Sequence, residues 1–578
     1  MQYTVLPHLM FRGRKMELAE KLNQRLQNLR SCSLRDFNDQ EKEWVKNAIT
    51  LLGLPKEHLD TYCEILARSD YRVIWLHMEE CSGCSESILM SSDFGFERFV
   101  IDFMQIQYHD MLMANSGYQT KQTLQESIAN HPYILIVEGS VSEDGDMYLT
   151  LGAEAHSGAK ECRELAEKAE FVVAVGSCSS FGGIQVAHPN PSNAKPLSEI
   201  IQKPTINIAG CPPSDTNICT TLLYLTLMGE APDLDDYSRP IWSHGKTVHD
   251  LCERKGAFGA GEFVQEFGDE GSKLGYCLYK MGCRGPYVYN NCGKIKFNSK
   301  ISWPIQAGHG CIGCSEPNFW DNMGKFEDPM GNNIPKLTPD GKYHPKLAEF
   351  EITENIQDES IFQEFCNKKK IDNTLLISLS FDKPSKFISY QDKEIKEIDA
   401  ISFESNPRIL FETLKTKTKI GGKLADNYLK AFPTKEAFIN SLQADSKESA
   451  NLTDLFSAIC MLVGEDREYT NKELTLLAEQ FIHNYASKYT MKFKANADGK
   501  YNVDFSKFIN PLFSYAVGGL DIYGLCYGVI DSYAESLGDI AGGFENIVLC
   551  GNVFEQKSNS LFVKKLLQYG RGKKFYLA

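Results

Sequence analysis

The chain has no long apolar run and no excess of basic charge. Apolar runs are short, such as Phe171–Val175, whereas a membrane-spanning helix needs about 18 apolar residues. Acidic residues outnumber basic ones, 76 to 61, which argues against a nucleic-acid-binding surface because such a surface needs a basic face. No charged segment followed by a long apolar one opens the chain, and Arg12 and Arg14 are separated by Gly13, so no secretory or twin-arginine signal is evident. We expect a cytoplasmic protein without a transmembrane anchor.

Composition and periodicity divide the sequence into five regions. Residues 1–68 have apolar residues at helical spacing, and residues 69–243 alternate strand-like and helix-like runs. That alternation predicts an α/β fold with a parallel, doubly wound sheet. Residues 244–330 are rich in Gly and Cys with little periodicity, 331–369 are polar and predict a linker, and 370–578 predict a further α/β domain. We see no internal repeat and no low-complexity tract.

The predicted strands of the second region lead into cysteines. Four runs predict strands, at 71–77, 133–138, 171–176 and 205–209. All but the second are followed directly by cysteines, which are Cys81 and Cys84, Cys178, and Cys211. Because ligands of such sheets bind beyond the carboxyl ends of the strands, we expect these four thiols to converge on one site.

Cysteine is the residue type with the most informative spacing. The 18 cysteines are too dilute for a disulfide scaffold, and their C-x2-C pairs are typical of metal sites in a reducing compartment. Iron–sulfur clusters are held by thiolates, four for a four-iron cluster, and three thiolates suit a 3Fe-4S cluster. Three groups of candidate ligands follow one another along the chain: Cys81, Cys84, Cys178 and Cys211; His249, Cys252, Cys277 and Cys283; and Cys292, Cys311 and Cys314.

Other interpretations of these residues stay open at this point. Four thiolates would also bind zinc, and a C-x2-C pair alone is compatible with buried structural thiols. His249 is either a ligand or a surface or capping histidine. Its position three residues before Cys252 favours ligation, since residues three apart share a helical face.

Taken together, these residues resemble the small subunit of nickel–iron hydrogenases over about residues 70–325. The shared motifs, in chain order, are Cys81-Ser-Gly-Cys84-Ser-Glu86, Val137-Glu-Gly-Ser140, Gly176–Gly183, Pro189-Asn-Pro191, Gly210–Pro213, His249–Cys252, Gly282-Cys-Arg-Gly-Pro286 and Ala307-Gly-His-Gly-Cys-Ile-Gly-Cys-Ser-Glu-Pro317. The resemblance implies a flavodoxin-like domain followed by an irregular iron–sulfur domain. It also implies that the Cys81 group holds a proximal 4Fe-4S cluster, the His249 group a distal 4Fe-4S cluster and the Cys292 group a medial 3Fe-4S cluster. Pro304 stands where that family has a proline in place of a fourth ligand.

The resemblance also carries expectations about function. Family members pair with a separate large subunit that holds the nickel–iron centre, and relay electrons between it and an external carrier. This chain would then belong to an oxidoreductase, a hydrogenase heterodimer, without catalytic residues of its own. Glu86 lies beside the first cysteine motif, and we expect it to form a salt bridge or to be a helix-start carboxylate rather than a proton exit. Oxygen-tolerant members have two additional cysteines where this chain has Gly83 and Gly183, so the resemblance implies an ordinary proximal cluster and oxygen sensitivity.

The C-terminal region has a different resemblance. Asp454-Leu-Phe-Ser-Ala458 and Ile547-Val-Leu-Cys-Gly-Asn-Val-Phe554 are similar to segments of the carbamoyltransferase maturation factor of these hydrogenases, in its actin/Hsp70-like ATPase domain. That factor's catalytic part binds metal with clustered histidines, whereas this chain has only His344 and His483 after residue 330. Gly551-Asn552 replaces a double glycine, and a side chain there would crowd a phosphate. We therefore expect a degenerate, non-catalytic domain rather than a carbamoyl transferase. The alternative function for the whole chain is a hydrogenase assembly protein that acts as a scaffold for the large subunit.

Overall fold

The computed structural model of the chain describes residues 15–29, 37–69, 71–91, 104–129, 132–143, 148–338, 345–354, 356, 358–398, 403–495, 501–504 and 506–578. The chain divides into two compact units. The first unit is Met1–Cys252, Val288–Gly324 and Leu337–Tyr343, and the second is Glu253–Tyr287, Lys325–Lys336 and His344–Ala578. Residues 244–330, predicted to be one irregular domain, are thus shared between the units.

The first unit is built on a five-stranded sheet. Its strands are β1 (Arg72–His77), β2 (Ile106–His109), β3 (Tyr133–Glu138), β4 (Phe171–Val175) and β5 (Ile206–Ile208). They lie in the order β2-β1-β3-β4-β5, and every neighbouring pair is parallel. This is the flavodoxin-like strand order, so the predicted fold class is confirmed. Every residue of β3 is buried, as expected of a parallel strand covered on both faces.

Helices cover the sheet of the first unit. The three N-terminal helices share one apolar core with strands β1, β4 and β5. Residues 1–68 were predicted to be helical from their apolar spacing, but these helices are part of this unit and not a separate region. The helices of the unit are Lys15–Asn28, Asp39–Leu51, Leu59–Arg68, Gly83–Leu89, Gly117–Ala129, Gly158–Lys168, Gly176–Phe181, Leu197–Ile200, Asp215–Met228, Ile241–His244, Cys292–Ile295 and Phe319–Asn322.

A six-stranded mixed sheet organises the second unit. Its strands are β6 (Glu349–Ile352), β7 (Thr374–Ser378), β8 (Lys386–Gln391), β9 (Glu394–Ile398), β10 (Asn546–Cys550) and β11 (Lys574–Leu577), in the order β6-β11-β10-β7-β8-β9. Strands β7 and β8 pair antiparallel and form a hairpin. The linker predicted over 331–369 is wrong where it includes β6 and helix Glu359–Lys369. Strand β6 pairs in parallel with β11 from the end of the chain, and local sequence does not reveal so distant a partner.

The second unit is completed by helices around this sheet. They are Lys255–Gly259, Glu270–Lys273, Glu359–Lys369, Pro407–Lys417, Lys419–Ala431, Thr434–Ser441, Asp454–Val463, Asn471–Glu479, Ser506–Val517, Ile522–Ile540 and Leu561–Tyr569. In the described parts of both units, no helix combines the length and apolar character needed to cross a membrane.

Candidate metal centres

The first group of predicted ligands lies beyond the carboxyl ends of strands β1, β4 and β5 of the five-stranded sheet. Cys81 follows β1, Cys84 is in the first turn of helix Gly83–Leu89, Cys178 lies in the helix that begins directly after β4, and Cys211 follows β5. Burial raises the pKa of the Cys84 thiol well above its ordinary value, and the nearby Glu138, Cys178, Cys211 and Cys81 raise it further. The structure therefore brings together the four thiols that the sequence predicted to converge.

Two glycines shape the space around these thiols. Gly176 has φ +84° and Gly183 has φ +59°, a backbone region that side chains rarely adopt. A Cβ atom on Gly176 would lie 2.5 Å from Cys84 Sγ, and one on Gly183 would lie 2.5 Å from Cys178 Sγ. At these two positions the backbone lies too close to the thiols for any side chain to fit between them. No cysteine that the structure describes takes part in a disulfide, so this site suits a bulky thiolate-bound group.

Glu138 organises the backbone at Cys84. Its carboxylate accepts hydrogen bonds from the Cys84 and Ser85 backbone N–H groups at 2.9 and 3.1 Å, from Ser85 Oγ at 2.7 Å and from Trp75 Nε1 at 3.2 Å. The residue is 1% exposed. This role was not predicted from the sequence, although β3 was the only predicted strand of this region not followed by a cysteine. An acidic residue at the end of that strand was the available signal.

The first and third groups of ligands are neighbours in the first unit. Ser177 donates a hydrogen bond from its hydroxyl to the Cys314 carbonyl and accepts one from the Gly210 backbone N–H at 3.0 Å. Burial raises the pKa of Cys314 to about 12, and Cys211 is the next contributor. One serine therefore connects the loop before Cys211 to the turn that ends at Cys314.

The structure brings Cys292 close to Cys314 in the third group. Cys292 begins helix Cys292–Ile295, and its pKa is raised by burial and then by the Cys314 thiol. Cys311 lies one turn before Cys314, across Gly313, whose φ is +88°. Pro304 is exposed.

A buried arginine, also missed from the sequence, fixes the turn that carries Cys314. Arg239 donates to the Asp235 carboxylate at 2.8 Å, to the Ser315 carbonyl at 2.8 Å and to the Glu316 carboxylate at 2.9 Å. Glu316 also accepts a hydrogen bond from the Tyr289 backbone N–H at 2.7 Å. Since a buried arginine must be paired, Arg239 ties the segments before Cys292 and after Cys314 to each other.

The second group of predicted ligands is divided between the units. His249 and Cys252 belong to the first unit, where they share one turn: the Cys252 backbone N–H donates to the His249 carbonyl at 3.2 Å. Cys277 and Cys283 belong to the second unit and are both buried. The spacing of the sequence remains the basis for joining the two pairs into one site.

A flavodoxin-like sheet whose strand ends gather thiols into a tight, glycine-lined site defines the class as a protein that binds a metal or an iron–sulfur cluster through thiolates. Two family models match the chain: the NADH ubiquinone oxidoreductase, 20 Kd subunit, over residues 81–225, and the C-terminal part of the NiFe/NiFeSe hydrogenase small subunit, over residues 244–327. The quinone-reactive Ni/Fe-hydrogenase small chain of Wolinella succinogenes is 47% identical over 319 residues, covering 54% of this chain and 89% of that protein. The chain belongs to the nickel–iron hydrogenase small-subunit family, and members of this family carry iron–sulfur clusters.

A second relative agrees with this assignment. The periplasmic [NiFe] hydrogenase small subunit 1 of Nitratidesulfovibrio vulgaris is 41% identical, covering 44% of this chain and 81% of that protein. A solved Ni-Fe-Se hydrogenase structure from Desulfomicrobium baculatum has 29% identity and a TM-score of 0.42, covering 45% of this chain and all of that chain. Both family models end by residue 327, so the domain that follows has no counterpart in them.

Proposed function

We propose that this chain is the electron-transferring small subunit of a nickel–iron hydrogenase. The observation that carries the proposal is the direct connection through Ser177 between the Cys81 group and the Cys292 group. Two clusters at adjacent sites joined by the same residue can pass an electron from one to the other. Electrons from hydrogen oxidation would enter at the Cys81 group, pass to the Cys292 group and leave through the His249 group.

The cofactors we propose are two 4Fe-4S clusters and one 3Fe-4S cluster. Cys81, Cys84, Cys178 and Cys211 would hold the proximal 4Fe-4S cluster, and Cys292, Cys311 and Cys314 the medial 3Fe-4S cluster. His249, Cys252, Cys277 and Cys283 would hold the distal 4Fe-4S cluster. Cluster iron binds thiolate, not thiol. The raised pKa values of Cys84, Cys178 and Cys314 mean that cluster binding must displace their protons, which the positive charge of iron makes favourable.

The proposed partner is a large subunit that carries the nickel–iron centre. Cys81 and Cys211 are exposed, so the proximal site opens to the surface of the first unit, where such a partner would receive or deliver electrons. The external carrier stays unidentified, and the cytoplasmic location stays a prediction. Gly183 supports the expected oxygen sensitivity, because its left-handed backbone, and a Cβ position only 2.5 Å from Cys178 Sγ, disfavour an additional cysteine there.

We also propose that the C-terminal domain is a non-catalytic relative of the maturation factor's ATPase domain. Asn552 accepts a hydrogen bond from the Phe381 backbone N–H at 2.8 Å and donates one to the Asp382 carboxylate at 3.1 Å, so its side chain occupies a backbone N–H that could otherwise bind a phosphate. His483 is buried, and its Nε2 hydrogen-bonds to the backbone carbonyls of Gly331 and Ile334; His344 lies outside the described residues. Calorimetric titration of the full chain with ATP should show no binding, and saturable binding would contradict the proposal.

The proposed electron relay can be tested at the proximal cluster. Replacing Cys84 by alanine removes one of the four proximal ligands, so hydrogen-dependent dye reduction by the purified complex should fall to background. Cys162→Ala is the matched control, because Cys162 is a buried cysteine of the same unit outside the ligand groups, and it should keep its activity. Normal dye reduction by Cys84→Ala would disprove the relay. The names of the relatives favour this function over an assembly scaffold.

A further inference from the structure

The C-terminal domain folds together with part of the predicted distal site. Residues 253–287, which include Cys277 and Cys283, belong to the same compact unit as residues 344–578. The family model that matches residues 244–327 contains the two cysteines but not the domain around them. The contacts between this segment and the domain indicate what the domain does.

The first contact is made by the tyrosine that lies between the two cysteines. Tyr279 is 1% exposed, and its ring packs edge-on against Tyr515 with centroids 5.4 Å apart. A Cβ atom on Gly518 would lie 2.5 Å from Cδ1 of Tyr279, so the domain leaves space for the ring and no more. The Tyr279 hydroxyl lies 2.5 Å from that of Tyr287, which in turn lies 3.4 Å from Ser487 Oγ.

The second contact holds the backbone of Cys277. The Cys277 N–H donates to the Glu262 carbonyl at 3.0 Å, and the Cys277 carbonyl accepts from the Val264 N–H at 3.0 Å. Helix Lys419–Ala431 contacts the same segment, residues 260–264. Its Asn427 donates to the Ala260 carbonyl at 2.9 Å, and its Lys423 forms a salt bridge with Glu262.

The third contact lies beside Cys283. The next residue, Arg284, is fully buried and donates to the backbone carbonyls of Asp328 at 2.6 Å and Lys325 at 3.0 Å. The segment 325–336 is tied to the domain by Asn332, whose backbone N–H donates to the Asp521 carboxylate at 2.7 Å. Each of the two cysteines is thus flanked by residues that the C-terminal domain fixes.

We propose that the C-terminal domain holds Cys277 and Cys283 in position. In this way the domain sets the geometry and the reduction potential of the distal cluster. Tyr279 and Gly518 act as positioning residues. The inference rests on the proposed function, because it requires a cluster on these two cysteines. Cluster potentials depend on hydrogen bonding and solvent exposure around the ligands, and residues that orient ligands from behind change metal affinity when they are replaced.

Gly518→Ala is the test variant, made in the full chain and purified anaerobically with whatever partner accompanies it. The added methyl group must displace the Tyr279 ring. In a redox titration followed by electron paramagnetic resonance, the midpoint potential of the distal cluster should shift. If the distal signal is instead lost, the iron content should fall by the amount of one cluster. The proximal and medial signals should stay unchanged. Gly542→Ala is the matched control, since a Cβ there meets nothing within 4 Å, and all three of its signals should match those of the wild type.

A second variant separates a local effect on the distal cluster from a folding defect of Gly518→Ala. Asn427→Ala removes only the hydrogen bond to the Ala260 carbonyl and should shift the distal signal in the same selective manner. If the distal reduction potential and the iron content are unchanged in both variants, the proposed role of the C-terminal domain is wrong. A wild-type complex without any distal signal would instead refute the proposed function, so the two failures are distinguishable.

Discussion

At the scale of single residues, the proximal site depends on glycine as much as on cysteine. Gly176→Ala places a methyl group 2.5 Å from Cys84 Sγ and strains a backbone with φ +84°. We expect this variant to lose the proximal cluster, because the thiol must move away from its ligand position. Iron analysis and the proximal electron paramagnetic resonance signal measure the loss.

Gly152→Ala separates crowding from backbone strain. Gly152 also has a positive φ, +71°, but a Cβ there meets nothing within 4 Å. It should lose some stability, by the order of 1 kcal/mol, and keep the cluster. A proximal cluster retained in Gly176→Ala, or lost equally in both variants, would contradict the role given to close approach.

Spacing along the sequence was enough to predict the four thiols that the structure brings together, because strand ends and cysteines coincide. It was not enough for Glu138 and Arg239. Their importance lies in partners that are distant in sequence: Cys84 is 54 residues from Glu138, and Glu316 is 77 residues from Arg239. Polar side chains of this kind are recognisable only when their burial is known.

At the scale of elements, periodicity predicted the strands that are buried on both faces. Strands β1, β3, β4 and β5 were found from their apolar runs, whereas β2, with the sequence Ile-Gln-Tyr-His, was missed. It lies at one edge of its sheet, and only half of its residues are buried, whereas β5 at the other edge is buried throughout. Strands β6 and β11 were missed for a different reason, since they form a pair only through the meeting of distant segments.

Two helices of the C-terminal domain are joined by a buried ion cluster. Asp531 of helix Ile522–Ile540 accepts hydrogen bonds from Lys565 Nζ at 2.7 Å, Lys488 Nζ at 2.7 Å and the Tyr569 hydroxyl at 2.8 Å. Burial by itself would raise the pKa of Asp531, but the two ammonium groups outweigh it and hold the pKa below its ordinary value.

Asp531→Asn should destabilise this pair of helices by about 3–5 kcal/mol at neutral pH, because it leaves the buried Lys565 ammonium without its carboxylate partner. An acid whose pKa is lowered by folding stabilises the protein above its unfolded pKa, about 3.9 for Asp. The difference from wild type should therefore shrink as the pH falls below about 4. Hydrogen exchange of helix Ile522–Ile540 measures the change, with exposed Asp539→Asn as control. A difference that stays constant down to pH 3 would contradict the assignment.

At the scale of the whole molecule, the chain combines a family module with a domain that lies outside the family models. The first unit and residues 253–287 supply every predicted ligand, and the C-terminal domain supplies none. The sequence indicated a domain boundary near residue 330, but it did not show that residues 253–287 fold with the later domain. That association depends on the packing of Phe258 and Tyr279 on Tyr515, more than 200 residues away, which no local pattern reveals.

The most direct test of the relay is hydrogen-driven reduction of the anaerobically purified complex, with iron counted in the same sample. We expect about eleven irons per chain, the sum of two four-iron clusters and one three-iron cluster, a nickel-bearing partner, and three iron–sulfur centres that hydrogen reduces. Clusters that stay oxidised under hydrogen although nickel is present, or an iron content too low for three clusters, would contradict the account.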